Sequence, residues 1–359
     1  MHKGFHLGWI IKLKLDFQNE KGSSSLKYNQ EGDKMKRELS CLLLIVSIIS
    51  TFAILRNSFG QEIKYPTRPI QVVIPSGPGG TLDIVARITG GQLQEVLNTP
   101  IIHLNKPGGG GITGAVFVKE QKPDGYNILH AASAIIESTI VTPNCPYKKE
   151  DFIPIARVTY GALVLSVKKD APWKTIEEFI EAARKEPGKI SVGIPGVGTL
   201  QHLVIKLFEM GAKIQLNPIP FKGDGLSVPP LLGGHIQAVM TGITTIAPFL
   251  RSGEVRALVS SAPDRHPVFK DIPTFREKGF PEVALVSWTG AFVSSGTPEP
   301  IIKILNDAYR EAANHPSVIA LLEKAGTTHG YLNSDDFKKF TAGEYNKFYK
   351  ASEAAGVIK

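Results

Sequence analysis

Pro75-Ser76-Gly77-Pro78-Gly79-Gly80-Thr81-Leu82-Asp83 follows the apolar run from Ile70 to Ile74 and precedes apolar residues at helical spacing, Leu82, Val85, Ile88, Val96 and Leu97. The order reads as strand, glycine turn, helix N-terminus. Backbone without Cβ atoms lets a ligand come close, and the unpaired amides of a first helical turn, at the positive end of the dipole, suit an anion. A guest of carboxylate size is expected. The plainer reading, a tight strand-to-helix turn that needs no ligand, stays open. Support for binding comes from a second loop, Pro195-Gly196-Val197-Gly198-Thr199-Leu200-Gln201-His202, which also follows an apolar run and opens a helical pattern. Two helix N-termini from different lobes would clamp one anion from both sides, with the Thr199 hydroxyl as a further donor.

Outward from these loops, short β-rich runs alternate with amphipathic helical patterns. Strands are expected at 70–74, 101–104, 127–131, 163–167, 190–194, 236–240, 256–260 and 289–293. Alternation of this kind predicts an α/β fold with a largely parallel sheet. Leu200, Leu203, Val204, Leu207 and Phe208 mark one helix, and Thr175-Ile-Glu-Glu178 is a capping box opening another. Thr297-Pro298-Glu299 and Ser334-Asp335-Asp336 begin two terminal helices, and no strand is expected after Val293. There is no internal repeat and no long linker, so the two lobes are expected to be joined by strands that cross between them, enclosing a cleft.

The chain start bears on the compartment. Lys34, Lys36 and Arg37 precede the 15-residue apolar run from Cys41 to Leu55, and Ser58-Phe59-Gly60 offers the small residues that a signal peptidase reads. The run falls short of the roughly 20 residues that span a bilayer, so export with cleavage before Gln61 is expected, with an uncleaved anchor as the alternative. Residues 1–34 are polar and aperiodic, and Met35, just before the basic stretch, is a candidate start. Cys41 stands in the wrong context for lipid attachment. Once the leader is gone only Cys145 remains, which leaves no partner for an intrachain disulfide and no cysteine metal cluster.

The net charge of +8 is partly a property of the leader, because residues 1–60 carry nine Lys or Arg and five Asp or Glu, which leaves +4 for the rest. That excess is spread out, without a basic helix or interleaved aromatics, so nucleic acid is not an expected partner. A mild positive field gathers anionic solutes. Enzyme signals are thin: there is no G-x-S-x-G, no G-x-x-x-x-G-K-[ST] and no H-E-x-x-H, and the histidines from His103 to His329 are scattered. Gly109, Gly111 and Gly114 form a G-x-G-x-x-G, but Ala131-Ala132-Ser133-Ala134 stands where a dinucleotide site needs an acid. A glycine turn that lets strand, helix and neighbouring lobe approach fits better. His202 and Trp288 each read more readily as structural residues than as ligand contacts.

Eight motifs then occur in one order: Tyr65-Pro66-Thr67-Arg68-Pro69-Ile70, Pro78 to Asp83 as P-G-G-x-x-D, Asn105-Lys-Pro-Gly-Gly-Gly-Gly111, Pro123-Asp124-Gly125-Tyr126, Asp151-Phe152-Ile153-Pro154, Pro220-Phe-Lys-Gly223, Leu231-Leu-Gly-Gly234 and Gly296-Thr297-Pro298. Over residues 61–359 the chain resembles the Bug family, the extracytoplasmic solute-binding proteins of tripartite tricarboxylate transporters. The resemblance implies a two-lobed periplasmic-binding-protein fold of the type II, Venus flytrap kind, with lobe 1 over 61–162, lobe 2 over 163–285, and a return to lobe 1 over 286–359. It implies a monomeric, periplasmic, non-catalytic receptor without cofactor or metal, which passes a small carboxylate to transmembrane transporter subunits. Carried over residue by residue, it nominates Ser76, Gly79, Gly80, Thr81 and Asp83 from the first loop, Gly198, Thr199 and Gln201 from the second, and Ser133 and Lys222 as secondary ligand contacts. Ser76 stands where the family often has an aromatic residue, and Thr241-Gly242-Ile243-Thr244-Thr245 replaces a stretch that often carries an aspartate. The missing acid favours a plain carboxylate, or a ligand read by hydroxyls, over an ammonium-bearing amino acid. An enzyme acting on small organic acids, or a ligand sensor for a signalling partner, are the alternative functions.

Overall fold

The computed structural model describes residues 39–47 and 64–358, which fall in two units, Met1–Ile63 and Lys64–Lys359. In the first unit residues 39–47 are helical and exposed. Among the described residues no helix is long and apolar enough to cross a membrane. The expected start at Met35 and cleavage before Gln61 lie outside the described residues.

The second unit begins with β1 (Ile70–Ile74), α1 (Thr81–Leu97), β2 (Ile101–Asn105), α2 (Ile112–Lys119), β3 (Asn127–Ala132) and α3 (Ala134–Val141). Strands β1, β2 and β3 pair in parallel, as their helical crossovers require. β1 is buried along its length except at Gln71, which explains its apolar Ile70, Val72, Val73 and Ile74: helices cover both faces. The long β4 (Phe152–Lys168) follows, then α4 (Ile176–Lys185), β5 (Ser191–Ile194), α5 (Leu200–Ala212), β6 (Asn217–Pro220), α6 (Val228–Leu232), β7 (Ala238–Gly242), α7 (Ile243–Ser252) and β8 (Val255–Ser260). β9 (Val286–Ser294), α8 (Glu299–Asn314), α9 (Pro316–Ala325), β10 (Thr328–Leu332) and α10 (Ser334–Ala354) complete the chain.

β4 makes the fold two-lobed. Its residues up to Ala162 pair with β9, and from Leu163 onward they pair with β7 and β8. The strand path is β2-β1-β3-β9-β4-β7-β5-β6, with β8 and β10 also on β4. The sheet is therefore mixed: parallel β1–β3 and parallel β5–β7 are joined through antiparallel β4 and β9. Only the inner part of β4 was expected. Its first half, β6 and β10 add to the expected strands, and β10 corrects the expectation that no strand follows Val293.

Buried side chains explain why the terminal helices return to the first lobe. Ile301, Leu305, Ala308, Tyr309 and Ala312 of α8 recur at helical spacing and share one core with Val85 and Leu93 of α1. Trp288 is fully buried, edge-on to Phe337 and Phe340 of α10, so it is a packing residue. Thr175 caps α4 by accepting from the Glu178 amide, as its motif predicts. Thr297 does not cap α8: its hydroxyl donates to the Ser294 carbonyl, and Pro298 takes the cap position.

Candidate functional site

Both glycine loops lie where the sequence puts them, each after a parallel strand and before a helix, and a cavity of about 80 Å³ opens between them. That volume exceeds the roughly 10–15 Å³ that one water needs and admits several. Six of the expected residues line the cavity: Ser76, Thr81, Ser133, Thr199, Gln201 and Lys222. Gly79, Gly80, Asp83 and Gly198 stand outside that lining.

In the first loop Gly79 adopts a left-handed backbone, with φ of 76°. This turns its amide toward Asp83, whose Oδ2 accepts it at 3.1 Å. Asp83 Oδ1 takes Asn105 Nδ2 at 2.9 Å and Arg87 Nε at 3.0 Å. Burial alone would raise the Asp83 pKa, but the bonds from Arg87, Asn105 and Gly79 outweigh it and hold the carboxyl below its usual range. The next amide, Thr81 N, donates to Thr245 Oγ1 at 2.8 Å, and the two hydroxyls meet at 3.0 Å. The Gly79 and Thr81 amides are thus engaged by the protein itself.

The second loop is arranged differently. Gly198 is left-handed, with φ of 80°, and its amide points at His202 Nδ1 at 3.4 Å. The Thr199 hydroxyl donates to Gly196 O at 2.8 Å, which leaves it lone pairs to offer the cavity but not its proton. No side chain caps α5.

Close approach of the loops rests on glycine. A Cβ at Gly110 would lie 2.9 Å from Val197 O, so the glycine turn before α2 meets the second loop through bare backbone. On the other side Gly77 N donates to Lys222 O at 2.7 Å, and a Cβ at Gly225 would stand 2.6 Å from Pro78 O. The cavity is enclosed by main chain from both lobes.

Two acids on the cavity wall were missed. Asp224 is buried, accepts from Gln201 Nε2 at 3.1 Å and from Gly242 N at 3.2 Å, and is pushed up by burial to about 6. Glu137 is only 3% exposed, and neither carboxyl oxygen has a hydrogen-bond partner. Burial pushes its pKa up to about 8. The signal was present for both, since Asp224 follows the Lys222-Gly223 motif directly and Glu137 is the one charged residue in the helix Ala134-Ile-Ile-Glu-Ser-Thr-Ile-Val141. They also bear on the acid missing from Thr241-Gly242-Ile243-Thr244-Thr245, because Asp224, bonded to Gly242 N, brings a carboxyl to that stretch from another element. Ser287 and Thr289 of β9 add hydroxyls.

The wall therefore offers hydroxyls, an amide, one lysine and the Glu137 carboxyl that burial favours in its neutral form, groups suited to hydrogen-bonding an anion, while Asp224, mostly ionised at neutral pH, is occupied by Gln201 and Gly242. No histidine or cysteine lines it, and no group of three or more metal-ligating side chains occurs among the described residues.

Comparison with known proteins identifies the family and the fold. Residues 85–357 match the family described as "Tripartite tricarboxylate transporter family receptor". The chain is 31% identical to Protein BugT of Bordetella pertussis over 82% of this chain and 90% of that one. Among solved structures it is similar to R. palustris Rpa4515 with adipate, at 26% identity and a TM-score of 0.78, covering 82% of this chain and 99% of that one. It is likewise similar to MatC (Rpa3494) from Rhodopseudomonas palustris with bound malate, at 28% identity and a TM-score of 0.76, covering 80% and 99%. The fold is that of a two-lobed periplasmic binding protein, as its similarity to the structure of periplasmic binding protein BugD shows, at 27% identity and a TM-score of 0.78, covering 82% of this chain and 100% of that one. By the match over most of its length, the chain belongs to the tripartite tricarboxylate transporter receptor family.

Proposed function

We propose that this protein is a periplasmic, non-catalytic receptor that captures a small carboxylate between its lobes and delivers it to the membrane subunits of a tripartite transporter. The observation that carries this reading is the cavity between the two helix-opening loops, lined by Ser76, Thr81, Ser133, Thr199, Gln201 and Lys222. Membership of the family supports delivery, and the adipate and malate of two similar structures support the ligand class. We place the lobe boundaries at 162/163 and 285/286, on the change of partners along β4 and the start of β9.

Closure on a ligand couples binding to stability, by about 2.7 kcal/mol when the ligand stands at 100 times its Kd. A thermal-shift screen of dicarboxylates, tricarboxylates and their neutral amides tests the reading. The expected result is a raised melting temperature with one group of acids, no shift with the amides, and ligand recovered unchanged after long incubation. Chemical turnover of the ligand, or a preference for the amides, would contradict it.

A further inference from the structure

Glu137 stands on the cavity wall at the start of α3, and its surroundings carry a consequence for ligand choice. Its carboxyl leans toward the Ser133 hydroxyl and the Leu200 amide without completing a hydrogen bond to either. Leu200 is the first residue of α5, so this acid reaches from the first lobe to the helix N-terminus that closes the second. An ionised carboxylate at such a place would be expected to bond those donors fully, whereas a buried, unpaired charge is costly enough that the group takes up a proton instead.

Among the charged and titratable groups on the elements packed against it, none forms an ion pair with Glu137. From α10 comes another acid, Glu344, near Lys347 at 3.6 Å. Lys119 on α2 pairs with Asp151, Lys149 with Glu150, and Lys206 on α5 with Glu209. His130 on β3 is buried and held neutral, His202 on α5 is lowered by burial, and burial raises the Tyr147 phenol. Across the cavity stand Lys222 and Asp224.

We propose that Glu137 is a specificity-determining residue of the carboxylate site: in its neutral form it donates its O–H to a carboxylate oxygen of the ligand beside the N-terminus of α5. The inference rests on the proposed carboxylate function and sharpens it. A neutral acid facing a carboxylate makes a short, charge-assisted bond, while the same residue ionised would repel the ligand. The site therefore selects a fully ionised acid when Glu137 holds its proton. Asp224, pushed up to about 6, is mostly ionised through the range in which Glu137, pushed up to about 8, loses its proton, and the Gln variant assigns the alkaline effect to Glu137.

The test is calorimetry with adipate, and with malate as second probe, from pH 6.5 to 9.5 on the wild type, Glu137→Gln and Glu137→Leu. Both probes stay fully ionised across that range. Wild-type Kd is expected to be constant below about pH 7.5 and to weaken about tenfold per pH unit above about 8, as the required proton is lost. Glu137→Gln, which keeps a donor that does not titrate, should bind within about threefold of wild type at pH 7 and lose the alkaline dependence. Glu137→Leu should bind at least tenfold more weakly. The wild-type profile and the Gln variant carry the test even if the Leu variant fails to fold. Equal pH dependence in wild type and Glu137→Gln would overturn the proposal while leaving carboxylate binding intact. Tighter binding at high pH, with preference for amino-bearing acids, would assign Glu137 to a ligand cation and overturn it as well. Absence of binding by either probe at every pH would overturn both this inference and the carboxylate reading for these acids.

Discussion

The loops before α1 and α5 have the same sequence plan and different fates. In the first, Asp83 and Thr245 take the Gly79 and Thr81 amides, and the turn is a locked joint between the lobes. In the second, the Gly198 amide reaches only the neutral ring of His202, at 3.4 Å, no hydroxyl from the other lobe takes a first-turn amide as Thr245 does in the first, the Thr199 hydroxyl turns inward to Gly196, and Glu137 of the opposite lobe comes close without bonding. A glycine turn and a helix N-terminus are a capacity to hold an anion. Whether the capacity remains available depends on which side chains reach it from elsewhere in the fold.

The largest expected effect comes from keeping the loops apart. Gly225→Val places a branched side chain where a Cβ already falls 2.6 Å from Pro78 O, so the closed state should become rare. Apparent affinity falls by the lost fraction of competent molecules, about 100-fold or more, while scattering of the free protein shows a more open form. Undiminished affinity would mean that the two loops need not meet.

Next comes Asp83→Asn, which strikes the locked loop alone. It should lower stability by about 1–3 kcal/mol through weakened charge-assisted bonds, with affinity changed only a few-fold. The sign with pH is set by the lowered pKa: this stabilisation is present above the ordinary aspartate value of 3.8 and is lost as pH falls through the folded value. Acid unfolding monitored by circular dichroism should accordingly be shallower in the variant. A large loss of affinity at unchanged stability would instead make Asp83 a ligand contact.

Thr245→Val removes the partner of the Thr81 amide with little change of shape. A loss of about 1 kcal/mol, or roughly fivefold in affinity, is expected because that bond forms between the lobes. Thr199→Ala should do less to binding. Its proton is engaged within its own loop, so melting temperature should fall slightly and affinity should stay within about threefold.

Much of this was legible before any coordinates. Strands β1, β3 and β8 have apolar runs bounded by turn residues, and both glycine loops carry their geometry in their composition. β6 was not legible, because Asn217-Pro-Ile-Pro220 offers two prolines and no alternation, which an edge strand tolerates. Thr328-His-Gly-Tyr-Leu332 is half-buried along its length and gave no periodic signal. The first half of β4 begins with Pro154 inside it and pairs with partners more than a hundred residues away, which local pattern does not report. In the site, Ser76, Thr81, Thr199 and Lys222 could be placed, since they lie in the loops or a motif, whereas Ser287 and Thr289 of β9 could not. The acids carried only a weak signal, Asp224 its place beside Lys222-Gly223 and Glu137 its isolation in an apolar helix, because their meaning comes from burial across the cleft, a tertiary property.

The most direct measurement of the central claim pairs adipate with its diamide in calorimetry and small-angle scattering at pH 7. Charge-assisted hydrogen bonds from both lobes predict that the acid binds, that the diamide does not, and that the acid shifts the population toward the compact form. Equal affinity for acid and diamide, or tight binding of the acid with no compaction, would contradict a carboxylate held between the two loops.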